Sequence, residues 1–151
     1  MLEQLVLEFL LVSQLWKVLP QMTATKEMIV AAREAASLAY VPYSHFPVGA
    51  AFLTADGQVI KGCNIENASF GLSNCAERTA IFKAISEGVK DFDALYVFGE
   101  TEEPISPCGA CRQVLAEFCP ADMPVYLISK DDKVKETSVE GLLPYSFKSL
   151  D

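Results

Sequence analysis

Basic residues are scarce in this chain. Twelve Lys and Arg stand against twenty Asp and Glu, a net charge of −8, so phosphodiester backbones and anionic membrane surfaces repel it on average. That argues against a general nucleic-acid binder. Histidine is scarcer still, with His45 alone. Because imidazole metal sites normally bring further ligands close by, His45 is expected on a surface loop. No internal repeat, low-complexity tract or linker interrupts the 151 residues. One domain of that length buries roughly 70% of the surface its unfolded chain exposes, and such a core needs no disulfides. Five cysteines are an odd number, and nothing convincing marks the chain for export. Metal or catalytic thiols in a reducing cytosol suit them better than a disulfide framework.

A long uncharged apolar run is missing as well. Thirteen of residues 1–21 are apolar, which invites a membrane or signal-peptide reading, yet Glu3 and Glu8 interrupt the segment and no Lys or Arg precedes it. Its longest uncharged stretch, residues 9–16, falls far short of the about 20 residues that a bilayer span needs. Residues 1–21 are therefore expected to be an extension of undefined role or a short helix packed on the body. The functional unit is expected over 22–151, without a membrane partner.

What is present reads as alternating elements. Thr25 precedes Met28, Ile29, Ala32, Ala35, Ala36 and Ala39 at roughly helical spacing, with Lys26, Glu27, Arg33 and Glu34 as polar positions. Pro42 ends that helix and a loop runs through Pro47. Strand-like runs at 48–53 and 59–64 flank Asp56-Gly57, a hairpin signal. Helical spacing returns from Asn74 to Gly88, and residues 94–98 read as a buried strand. Ser106-Pro107 is predicted to open the next helix, with serine as N-cap and proline in the first turn. Residues 125–128 are a further buried strand. Helices alternating with buried strands predict crossovers that cover both faces of a mixed sheet, an α/β fold.

Two helix starts carry the chemistry. Cys75-Ala76-Glu77 opens one, and Pro107-Cys108-Gly109-Ala110-Cys111 opens the other. Cys108 and Cys111, three apart, place both sulfurs on one helical face near an N-terminus, where backbone dipoles favour thiolate. Cys75 can approach from the other helix. Three sulfur ligands leave a fourth position on a zinc ion open, the arrangement of a catalytic site. Glu77, two residues past a ligand, is placed to shuttle protons. Asn74 to Glu77 also matches a helix capping box, in which Glu77 would only satisfy a backbone donor. Cys63 and Cys119 have no suitably spaced partner and are expected as buried apolar fillers.

The joint pattern C-x-E with P-C-x-x-C is the three-cysteine form of the zinc deaminase signature. From about Thr25 to Phe147 the chain resembles the small homotetrameric zinc-dependent cytidine deaminases of the three-cysteine type. The resemblance includes Phe46-Pro47-Val48-Gly49-Ala50-Ala51, Cys63-Asn64-Ile65-Glu66-Asn67-Ala68, Cys75-Ala76-Glu77-Arg78-Thr79-Ala80 and residues 106–114. It implies a three-layer α/β/α sandwich around a roughly five-stranded mixed sheet. It also implies one zinc per chain on Cys75, Cys108 and Cys111, with Glu77 as the catalytic carboxylate. The expected activity is hydrolysis of cytidine and 2′-deoxycytidine to the uridine products and ammonia, in cytoplasmic pyrimidine salvage.

For substrate binding, the resemblance implies that the Ala76 N–H holds the pyrimidine carbonyl and that backbone at Ser106 accepts from the amino group. Phe46 packs on the base, Asn64 and Glu66 hold sugar hydroxyls, and Phe147 reaches over the base of a neighbouring subunit in the homotetramer. Three thiolates leave a doubly charged ion at minus one, and Arg78 beside Glu77 can offset that by donating to sulfur. Glu66 beside the sugar would repel a phosphate, so a free nucleoside is expected rather than a nucleotide. A deaminase of another cytosine nucleoside, such as blasticidin S, is the nearest alternative. A zinc-stapled binding module in which Glu77 is only a cap is a rival from another class.

Overall fold

The structure, a computed structural model, describes residues 25–150; the expectation for residues 1–21 lies outside the described residues. Residues 25–36 form helix α1. It buries Met28, Ala31, Ala32, Ala35 and Ala36 and exposes Lys26 and Glu27, as its periodicity requires. Ala39 falls beyond the helix, its amide bonded to the Ala36 carbonyl at 3.1 Å in a tighter turn.

Five strands follow in one sheet, β1 (Val48–Thr54), β2 (Val59–Cys63), β3 (Phe92–Gly99), β4 (Pro124–Ile128) and β5 (Val134–Ser138). They lie in the order β2-β1-β3-β4-β5. β1 is antiparallel to both β2 and β3, β3 and β4 are parallel, and β5 returns antiparallel on the far edge. The predicted hairpin joins β1 to β2, and Gly57 at its tip has φ +85, a backbone region that costs only glycine nothing. β5 carries no apolar alternation that would mark it in the sequence. Its Lys135 and Glu136 are exposed, as suits an edge strand that must not recruit another chain.

Helix α2 (Ala76–Ser86) connects β2 to β3, and α3 (Gly109–Phe118) connects β3 to β4. Both pack on one face of the sheet, where Ala80, Ile81, Leu115 and Ala116 meet Ala50, Phe52, Leu95, Val97 and Val125. On the opposite face α1 sets Met28, Ala32 and Ala36 against Ala51, Ala94, Tyr96 and Phe98. The three layers are therefore present, with each fully buried large side chain contributing about 1.5–3 kcal/mol. A Cβ on Gly62 would lie 2.4 Å from the Ala80 amide nitrogen. Only glycine at that position lets α2 rest directly on β2.

The topology decides where chemistry can occur. β2 and β3 are each antiparallel to β1 and so run parallel to one another; their carboxyl ends share one edge of the sheet. α2 and α3 both begin at that edge, which is where open α/β sheets gather their ligands. The segment entering β1 arrives there too, since Val48 pairs with Gly99 at the end of β3 and Gly49 with Cys63 at the end of β2. Three stretches far apart in sequence, 43–47, 64–78 and 100–112, are thereby placed side by side.

Candidate active site

Cys75 is the N-cap of α2 and Cys108 the N-cap of α3. Cys111 stands in the first turn of α3, three residues after Cys108. The three sulfurs lie within 4.8 Å of one another, and the Cys75 and Cys108 Sγ atoms are 3.8 Å apart. The Cys75 thiol is pulled down to about 5, first by the Cys111 thiol and further by Arg78 and Cys108; Cys111 is pushed up by sharing that proton and by burial. A doubly charged ion at the centre would favour the thiolate form of all three.

The Arg78 guanidinium donates from Nη2 to Cys75 Sγ at 3.4 Å, while its buried Nε has no acceptor. A permanent cation held against neutral thiols has little to bind. Against three thiolates on a dication it offsets the surplus negative charge. Donor set, spacing and this adjacent cation together fit a metal ion. Soft sulfur ligands favour zinc-type ions over magnesium or calcium.

Glu77 follows in the first turn of α2 and is 4% exposed. Its carboxyl is raised above the ordinary range by burial first, then by the Cys75 charge, while its own amide and the Cys111 thiol oppose the shift. The capping-box alternative does not hold: the N-cap of α2 is Cys75, with no side-chain cap bond, and the Asn74 amide is turned to Thr79 Oγ1 at 3.1 Å. The Glu77 carboxyl meets the Cys111 thiol as well as its own amide, which places it against the cysteine cluster. The Ala76 N–H lies at the first position of α2, among the donors that have no partner within a helix.

Asn64 and Glu66 leave the end of β2 and brace the loop that enters β1. Asn64 donates to the Phe46 carbonyl at 2.8 Å and accepts from the Val48 amide at 2.9 Å. Glu66 accepts from the Tyr43 and Ser44 amides at 3.0 and 3.1 Å and from the Ser44 hydroxyl. That hydroxyl, with the two amides, holds the Glu66 carboxyl below its ordinary value. A cavity of about 330 Å³ lies beside Glu66, lined also by Tyr43, Ser44, Phe70 and Ser73, in the range of small-ligand pockets. The Phe46 ring is 43% exposed.

α3 begins two residues later than the sequence predicts. Cys108 is its cap and Ser106 is not, because the Ser106 hydroxyl is taken by Arg112 Nη2 at 2.9 Å. Arg112 also donates from Nε to the Pro107 carbonyl and from Nη1 to the Leu142 carbonyl, in the short helix α4 (Val139–Leu142). Sequence reasoning passed over this arginine, although a cation near a helix N-terminus opposes the helix dipole and so demands acceptors of its own. Gln113 next to it donates to the Phe147 carbonyl at 2.8 Å. The tail backbone is thus tied to α3 of its own chain, while the Phe147 ring stays 66% exposed.

Two cysteines stay outside the cluster. Cys119 is buried, and burial pushes its thiol up to about 12. Cys63, expected as a buried filler, is only half-buried, because it closes β2 at the open edge of the sheet. His45 is exposed, with φ 55 in its loop. Among the described residues no helix is long and apolar enough to cross a membrane.

Residues 22–127 match the family described as the cytidine and deoxycytidylate deaminase zinc-binding region. The chain is 55% identical to a cytidine deaminase of Sporosarcina psychrophila over 83% of this chain and 93% of that one. It is 56% identical to a cytidine deaminase of Halalkalibacterium halodurans over 82% and 94%. The crystal structure of a cytidine deaminase from Burkholderia pseudomallei superposes with a TM-score of 0.79 at 51% identity, covering 81% of this chain and 98% of that one. With two helix starts bringing three sulfurs and a buried carboxylate to one edge of the sheet, the chain belongs to the cytidine deaminase family.

Proposed function

We propose that the chain hydrolyses cytidine and 2′-deoxycytidine to uridine and 2′-deoxyuridine with release of ammonia, using one zinc per chain on Cys75, Cys108 and Cys111. The observation that carries this is the buried Glu77 carboxylate on the same helix start as Cys75, against the cysteine cluster. A zinc ion held by Cys75, Cys108 and Cys111 would polarise a water molecule and lower its pKa. Glu77 takes a proton from that water and passes it to the ring nitrogen as the water oxygen bonds to the amino-bearing carbon; it then moves the remaining proton of that oxygen to the amine, so that the C–N bond breaks, the carbonyl forms and ammonia leaves. Its raised affinity for protons suits a group that must accept and return them within one cycle. Arg78 offsets the charge of the thiolates. The Ala76 N–H holds the pyrimidine carbonyl, backbone at Ser106 accepts from the amino group, and Phe46 packs on the base.

The cavity beside Glu66 takes the sugar, where Asn64 and Glu66 exchange their loop contacts for hydroxyl groups. A carboxylate there, with a net charge of −8 overall, disfavours a phosphorylated substrate. Loss of cytidine absorbance in a dialysed sample tests the assignment, with cytidine 5′-phosphate and adenosine as controls. Turnover of cytidine alone among the three is the expected result; no turnover, or preference for the phosphate, overturns it. Free thiols at the metal site fit a reducing cytosol, and consumption of free nucleosides fits pyrimidine salvage.

The active unit is a homotetramer whose sites are completed across subunits. Support comes from the tail, where Tyr145, Phe147 and Leu150 are all largely exposed, an apolar load that a lone chain leaves in water. Phe147→Ala is expected to weaken nucleoside binding by about two- to tenfold, the worth of one aromatic contact, with metal content unchanged. Light scattering that found a fully active monomer would refute the shared site. Residues 22–151 form the catalytic unit, so a chain starting at Met22 is expected to fold and deaminate at wild-type rates in the same assay.

A further inference from the structure

A guanidinium offers five N–H donors in one rigid plane and can therefore hold several segments in fixed mutual geometry. Arg112 uses three such bonds on three different groups: Nε to the Pro107 carbonyl at 2.7 Å, Nη2 to the Ser106 hydroxyl at 2.9 Å and Nη1 to the Leu142 carbonyl at 2.8 Å. Pro107 is fully buried, whereas Ser106 is exposed at the rim of the site. Among the described residues, 104–107 lie in neither strand nor helix. Arg112 holds both residues 106 and 107, and the Leu142 bond ties the same side chain to α4, from which the tail departs.

We infer that Arg112 is a positioning residue for the amino group of the substrate, holding the Ser106–Pro107 backbone where it accepts from that group. The inference rests on the cytidine deaminase function proposed above, and it concerns recognition of the leaving group rather than the metal. Lysine at this position keeps the charge but presents its donors from one point, and it cannot reach all three acceptors. A displacement of about 1 Å at such a contact is worth up to roughly 100-fold in rate.

The test uses full-length Arg112→Lys, with three readouts: zinc content, cytidine kinetics, and inhibition by uridine, which carries a carbonyl oxygen where cytidine carries the amino group. The expected result is one zinc per chain, a fall in cytidine kcat/KM of about tenfold or more, and a uridine inhibition constant within about threefold of wild type. Ser106→Ala, which deletes one of the three bonds, is expected to give a smaller loss of the same kind. Should Arg112→Lys fail to fold, Ser106→Ala decides alone. Wild-type cytidine kinetics in the deciding variant overturn the inference, as does equal weakening of cytidine and uridine, which marks a merely structural strap. Loss of zinc also overturns it, since Arg112 would then be a prop for Cys108. A wild-type protein that turns over no cytidine refutes the function and this inference together; a wild type that does so beside an indifferent variant refutes the inference alone.

Discussion

Glu77→Gln is expected to reduce cytidine turnover by at least 100-fold while zinc stays bound. Acid-base catalysis by one placed group is worth roughly 100- to 10,000-fold, and in the proposed mechanism one carboxylate serves every proton transfer. The amide is nearly isosteric and Glu77 is not one of the three clustered ligands, so neither the fold nor the metal site depends on its charge. Steady-state kinetics with metal analysis on the same sample check both halves of this expectation. A variant within about tenfold of wild type would remove Glu77 from the mechanism, and one that lost zinc would make it a ligand instead.

Removing any one sulfur of the cluster is expected to have an effect of similar size by a different route. Cys75→Ala, Cys108→Ala and Cys111→Ala each leave two ligands, and dialysed samples should retain little metal. Turnover should fall by about 100-fold or more, since even hydrogen-bond partners of metal ligands are worth roughly 10- to 100-fold. Cys63→Ala and Cys119→Ala should keep one zinc per chain. Cys119 is a buried thiol at the C-terminal end of α3, and Cys63 closes β2 outside the cluster. Metal content across the five variants separates the two groups, and zinc loss in either of the last two would mean that the wrong sulfurs were assigned.

Local pattern made several of these elements legible. The period of Met28, Ala32 and Ala36 marks α1, the Asp56-Gly57 pair marks the first hairpin, and the spacing of Cys108 and Cys111 marks one face of α3. Each depends on neighbours a few residues apart, where side-chain direction follows directly from backbone geometry. β5 was not legible in this way. It is a polar edge strand whose partner β4 supplies the pairing, so its residues had no need of an apolar alternation. The start of α3 was misplaced for a related reason, because Ser106 has the right chemistry for a cap and its hydroxyl is nonetheless claimed by Arg112 six residues on.

The sequence by itself determined which atoms are the candidates for the chemistry: three thiols, one carboxylate two residues past a cysteine, and an arginine adjacent to it. Their residue types and local spacings already limit the metal and the proton traffic, since donor softness and acidity belong to the side chains. Only the tertiary structure decided that Cys75 meets Cys108, because the meeting depends on β2 and β3 running parallel through their shared neighbour β1. It also decided that Asn64 and Glu66 brace the loop carrying Phe46, and that Arg112 fastens the Ser106 rim to α4. Such contacts join residues that are distant along the chain, and strand order and crossover topology, not local propensity, bring them within hydrogen-bonding distance.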